Sequence, residues 1–148
     1  MPIDRDRAMA IELEPITVAV ERGRLAFFAR ATGQTDPIYS DVDAAKAAGH
    51  PDLPVPPTFF FSLELEAPAP FDYVRALDID LLRVLHGEQA FTYHAVVHAG
   101  DTVVLRPRIV DAFSKKGGAL DFLVKRTGIS RGGELVAEAV STLVVQNP

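Results

Sequence analysis

The side chains able to do acid–base or nucleophilic chemistry near neutral pH are few. There are four histidines and no cysteine. The absence of cysteine removes disulfides, thiolate nucleophiles and thiolate metal ligands together. His86, His94 and His98 share sequence parity, so on one strand they face the same way. At a rise of ~3.3 Å per residue His94 and His98 stand roughly 13 Å apart, too far for one metal whose ligands lie ~2 Å from it. They read as ordinary surface residues, and no metal site is expected. His86 opens the polar cluster His86-Gly87-Glu88-Gln89 ahead of an apolar strand. It is a candidate for proton handling or substrate contact, against the plainer role of a satisfied turn residue. No serine stands in a nucleophile elbow, and no glycine-rich loop follows a strand in the dinucleotide-binding pattern. The pairs Gly117-Gly118 and Gly132-Gly133 join strands and read as turns. No cofactor is expected.

These side chains need elements to position them. Ile16 to Val20 is a short β-branched stretch that reads as a strand. Glu21 to Thr32 reads as a helix, with Leu25, Phe28 and Ala29 on one face and Gly33 as its C-cap. Asp41 caps an alanine-rich helix that stops at Gly49. His50 to Pro57 holds four prolines, which no helix or central strand tolerates. Thr58 then caps a helix from Phe59 to about Glu66. Its opening Phe59-Phe60-Phe61 makes it apolar on nearly every side, hence buried. Phe71 to Leu82 is ambiguous between a short helix and loop.

The second half alternates. From Gln89 to Val97 the odd positions face in and the even positions out. Val103 to Phe113, a run marked by Leu120, Phe122 and Val124, and Leu135 to Val145 follow as three more strands. Glycine-bearing turns between alternating runs indicate antiparallel pairing. A sheet with one apolar face must cover it, and the Phe59 helix is the best cover available. The expected class is α+β: a curved antiparallel sheet around a central buried helix.

At 148 residues, 48% of them hydrophobic, the chain suits a single domain spanning 1–148, with about the first 12 residues the least structured. A net charge of −5 disfavours nucleic acid as a partner. The N-terminus has acidic residues and no apolar segment, and no apolar run approaches the ~18–20 residues that span a bilayer. A soluble, cytoplasmic protein with no membrane partner is expected.

The informative stretch runs from Gly33 to Phe61: Gly-Gln-Thr-Asp-Pro-Ile-Tyr-Ser-Asp, then Ala-Ala-Lys-Ala-Ala-Gly-His-Pro-Asp-Leu, then Pro-Val-Pro-Pro-Thr-Phe. With Leu85 to His94 and Ala99-Gly100-Asp101, it resembles the MaoC-like hydratases and dehydratases, in particular their N-terminal, fungal-synthase-like dehydratase branch. The resemblance covers about Ile16 to Val145 and implies the hot-dog fold. It also implies addition or removal of water across an enoyl thioester of CoA or acyl-carrier protein. A carboxylate and an imidazole acting on one water would carry that chemistry.

In the family this pair follows the pattern Asp, two residues, Pro, one residue, His. Anchored on Pro37, the positions hold Gln34 and Tyr39. Gln34 does not titrate, and a tyrosine near pKa ~10 is a poor base at neutral pH. Asp36, Asp41 and His86 are the available substitutes, at spacings that depart from the pattern. The resemblance further places the Thr58 N–H at the start of the buried helix, where it would polarise a thioester carbonyl. Thr58, Phe59, His86, Gly87 and Gln89 are the candidate substrate contacts.

The leading expectation is a catalytically degenerate subunit paired with a related hot-dog chain that carries the intact Asp and His. The alternatives are an active homodimeric hydratase using Asp36 or His86, and an acyl-thioester binding module without chemistry. A thioesterase using Glu64 is the weakest of the readings.

Overall fold

The computed structural model describes residues 2–148. Five strands form one antiparallel sheet: β1 (Ile16–Ala19), β2 (Val84–Tyr93), β3 (Thr102–Lys115), β4 (Leu120–Arg131) and β5 (Glu134–Gln146). Their spatial order is β1-β3-β4-β5-β2, so β1 and β2 are the two edges. Pro107 sits in β3 beyond the segment paired to β1, where its missing N–H interrupts no ladder on that side.

Five short α-helices accompany the sheet: α1 (Arg5–Met9), α2 (Arg22–Ala31), α3 (Val42–Ala47), α4 (Phe60–Glu64) and α5 (Asp72–Arg75). None of the described helices is long and apolar enough to cross a membrane. Leu25 and Ala29 of α2 are buried, and Gly33 follows at φ +74. Asp41 caps α3, its carboxylate accepting from the N–H groups of Asp43 and Ala44. Phe60 and Leu63 of α4 bury into the main core with Phe59, Leu105, Ile129 and Ala137. A second cluster joins Ala8, Tyr73 and Val74 to Ile109, Leu123 and Leu143.

The structure corrects several expectations. Within the segment expected to be least structured, α1 buries Ala8, and Arg5 and Arg7 pair with Asp111 and Asp78. The strand expected over Gln89–Val97 instead begins at Val84 and ends at Tyr93. Beyond it the N–H groups of His94 and Ala95 both donate to the Val136 carbonyl. The chain then joins the proline-rich loop, where Val55 N–H donates to Val97 and Ala99 N–H to Leu53. The inward face of β4 carries Leu123, Lys125, Thr127 and Ile129. Phe122 lies on the other face, stacked on Phe113 at 4.9 Å with Lys115 above both rings. The helix expected from Phe59 to Glu66 shortens to α4, and the ambiguous Phe71–Leu82 segment resolves into α5 and a 3-10 turn at Leu81–Arg83.

Candidate functional site

Two groups of residues surround two separate cavities beside α4. The first surrounds Tyr39. Asp36 begins a 3-10 turn at Pro37–Tyr39, its carboxylate accepting from the Ile38 N–H. Gln34 accepts from the Asp36 N–H. Tyr39 faces a cavity of about 350 Å³ that is also lined by His50, Pro57, Phe60, Tyr93 and His94. No carboxylate lines this cavity. Asp36 and Asp41 are both engaged in capping backbone N–H groups.

Thr58 does not cap α4 with its side chain. It adopts φ +73, an unusual conformation for a β-branched residue, and its N–H donates to the Tyr93 hydroxyl at 2.8 Å. The amide expected to meet a thioester carbonyl is thus bonded to a side chain of β2. Phe59 is core: 2% exposed, with its ring edge-on to Phe28 at 5.2 Å and Arg24 over its face. Phe60 and Phe61, not Phe59, reach cavities.

His98 is not an ordinary surface residue. It is half-buried, and its Nε2 lies 2.9 Å from His50 Nδ1. Burial foremost, then the His50 charge, lowers its pKa below the usual histidine value, partly opposed by Asp101. His94 is exposed and sits 3.1 Å from Glu138, in keeping with a surface role.

The second group lies on the concave sheet face. Lys125 of β4 and Glu64 of α4 form an ion pair at 3.0 Å, with 13% and 8% of their side chains exposed. Lys125 also lies over the Tyr73 ring, and burial pushes the Tyr73 hydroxyl up to about 12. In the strand register Lys125 faces Ser141, which faces Gln89. His86 Nε2 is 3.0 Å from Ser141 Oγ, and the His86 ring packs on Phe61. The Gln89 amide is buried without a hydrogen-bond partner. Gly87 occupies a bulge in β2, where a Cβ would lie 2.6 Å from Val144 Cγ2.

The structure therefore separates the sequence candidates. Tyr39 and His94 line the first cavity, with Thr58 bonded to its Tyr93, while Glu64 and His86 line the second, with Gly87 and Gln89 nearby on β2. No residue lines both the Tyr39 cavity and the cavity at His86. Sequence reasoning missed His50, Tyr93, Lys125 and Ser141 as members of these groups. The inward parity of Tyr93 was a usable signal. Lys125 and Ser141 carried none, because a polar residue within an apolar strand normally points to water.

A curved antiparallel sheet with a buried helix on its concave face is the hot-dog fold. The comparisons agree and specify the class. Residues 7–139 match the model of the FAS1-like dehydratase domain region, and the chain belongs to that family. A UPF0336 protein of Parafrankia sp. (strain EAN1pec) is 38% identical over 150 residues, covering 97% of this chain and 95% of that protein. A second, from Streptomyces coelicolor, is 37% identical and covers 95% of each. Among solved structures, the HadBC (3R)-hydroxyacyl-ACP dehydratase complex of Mycobacterium tuberculosis matches with TM-score 0.77 at 28% identity. That match covers 93% of this chain and 98% of that one. The ChsH1–ChsH2 complex of the same organism shares the fold, with TM-score 0.78, 24% identity and coverage of 97% and 88%.

Proposed function

We propose that this chain is the non-catalytic subunit of a hot-dog dehydratase or hydratase. Its partner is a related hot-dog chain with an intact Asp and His. The substrate class is a 3-hydroxyacyl or enoyl thioester of CoA or acyl-carrier protein. The observation that carries this reading is the Tyr39 cavity. It offers imidazoles and tyrosines but no carboxylate, whereas hydration needs a carboxylate and an imidazole on one water. The Thr58–Tyr93 bond supports it, because the amide donor for a thioester oxygen is already satisfied.

The similarity to HadBC, a two-chain dehydratase by its name, supports a related partner. So does the position of β2 at a sheet edge, with Leu85 and Tyr93 exposed along it. A homodimer active through Asp36 or His86 has less support, since Asp36 is an exposed cap and His86 points into the other cavity.

The test is crotonyl-CoA hydration, followed at the enoyl absorbance, with longer enoyl-CoAs alongside. The chain alone is expected to be inactive. The double variant Gln34→Asp/Tyr39→His is expected to hydrate measurably. Turnover by the unmodified chain would overturn the non-catalytic reading.

A further inference from the structure

His86 of β2 and Ser141 of β5 meet across 55 residues of sequence, with His86 Nε2 3.0 Å from Ser141 Oγ. With the imidazole proton on Nδ1, the hydroxyl donates to Nε2 and can pass its proton to the ring as the oxygen attacks an electrophile. The Phe61 ring packs on the imidazole at 5.4 Å between centroids and restrains it.

Both side chains line one cavity of about 340 Å³, within the range of small-molecule sites. Ser141 is only 6% exposed, but His86 is exposed, so the cavity they share connects the hydroxyl to solvent. The other titratable groups in its wall are Glu64, Tyr73 and Lys125. Ser141 stands between two donors on the neighbouring strands. Lys125 is opposite it on β4, and its ammonium has three N–H groups to share between Glu64 and a ligand. Gln89 is opposite it on β2, and both polar atoms of its amide are buried without a hydrogen-bond partner. Native proteins rarely leave such a group unmet, and a ligand oxygen beside Ser141 would meet it.

We infer that Ser141 and His86 are a nucleophile and base that hydrolyse a small carboxylic ester, with Gln89 and Lys125 as donors to the oxyanion. Ser141 Oγ bonds to the acyl carbon while His86 Nε2 takes its proton. The tetrahedral oxyanion accepts from Gln89 and Lys125. Collapse breaks the bond to the leaving oxygen, which receives the proton from His86 and departs as an alcohol. Water then attacks the acyl-serine, giving its proton to His86, and the acid leaves as Ser141 recovers its hydrogen. The cavity shares no residue with the Tyr39 cavity, and the inference does not rest on the dehydratase reading.

The experiment treats the full chain with diisopropyl fluorophosphate, locates the adduct by peptide mass spectrometry, and follows p-nitrophenyl butyrate hydrolysis in parallel. One adduct, on Ser141, is expected, with loss of hydrolysis as it forms. Ser141→Ala is expected to abolish both. His86→Gln keeps a hydrogen-bonding partner for Ser141 but no base, and is expected to slow both about 100-fold or more. The position of the adduct in the unmodified chain requires no variant to fold. No adduct, an adduct at another residue, or hydrolysis unchanged in Ser141→Ala would overturn the assignment. Thioester hydrolysis releases a thiol and hydration does not, so thiol titration in the crotonyl-CoA assay keeps this test apart from that of the dehydratase reading.

Discussion

The backbone N–H of Thr58 donates to the hydroxyl of Tyr93 across 35 residues of sequence, at 2.8 Å, from a residue held at φ +73. A non-glycine residue persists in that region only when its surroundings hold it there. The bond ties the start of α4 to edge strand β2, and it occupies the amide that our proposal assigns to a substrate oxygen.

Tyr93→Phe removes that acceptor and little else. It is expected to lower stability by about 0.5–1.5 kcal/mol, since a net hydrogen bond is worth that much and water can reach the freed amide. Crotonyl-CoA binding, measured by calorimetry, is expected to tighten while hydration stays absent, because no acid–base pair has been added. Unchanged binding would show that Tyr93 does not compete with a thioester at Thr58.

The Glu64–Lys125 pair gives a stability prediction. Glu64→Gln leaves a buried ammonium without its carboxylate and is expected to cost roughly 3–5 kcal/mol in urea unfolding. Glu64→Leu combined with Lys125→Met removes both charges and is expected to recover most of that loss. A double variant as weak as the single one would mean that packing, not charge, dominates at this position.

The burial of His98, beside His50, makes stability depend on pH. The folded-state pKa of His98 is lowered, so the unfolded chain binds its proton more readily. The stabilisation is therefore intact above the unfolded value of 6.5 and declines as pH falls below it toward the folded value. Thermal unfolding from pH 8 to pH 5 is expected to show Tm falling on the acid side. His98→Gln is expected to flatten that slope, and an equal slope in the variant would assign it to other groups.

Gly87 is required for space, not for a positive φ. An added Cβ would press on Val144 Cγ2 at 2.6 Å and on the Thr142 carbonyl at 3.2 Å. Gly87→Ala is expected to destabilise by about 1–3 kcal/mol, as overpacking does. Adding Val144→Ala is expected to restore part of the loss in the same unfolding assay, and the absence of any rescue would locate the strain at the Thr142 carbonyl.

By itself the sequence determined the α+β class, the antiparallel second half and the α2 and α3 caps. These follow from local rules: strand alternation, glycine at turns, aspartate accepting from nearby N–H groups, and the chemistry of single side chains. Only the tertiary structure decided that β2 ends at Tyr93, that Tyr93 satisfies Thr58, and that His50 meets His98. It alone placed Lys125, Ser141 and Gln89 side by side on adjacent strands under Glu64. Those contacts join residues far apart in the chain, and strand register and loop docking select them. A lysine within a strand looks the same in sequence whether it faces water or a buried glutamate, and the helix laid across the sheet made that choice.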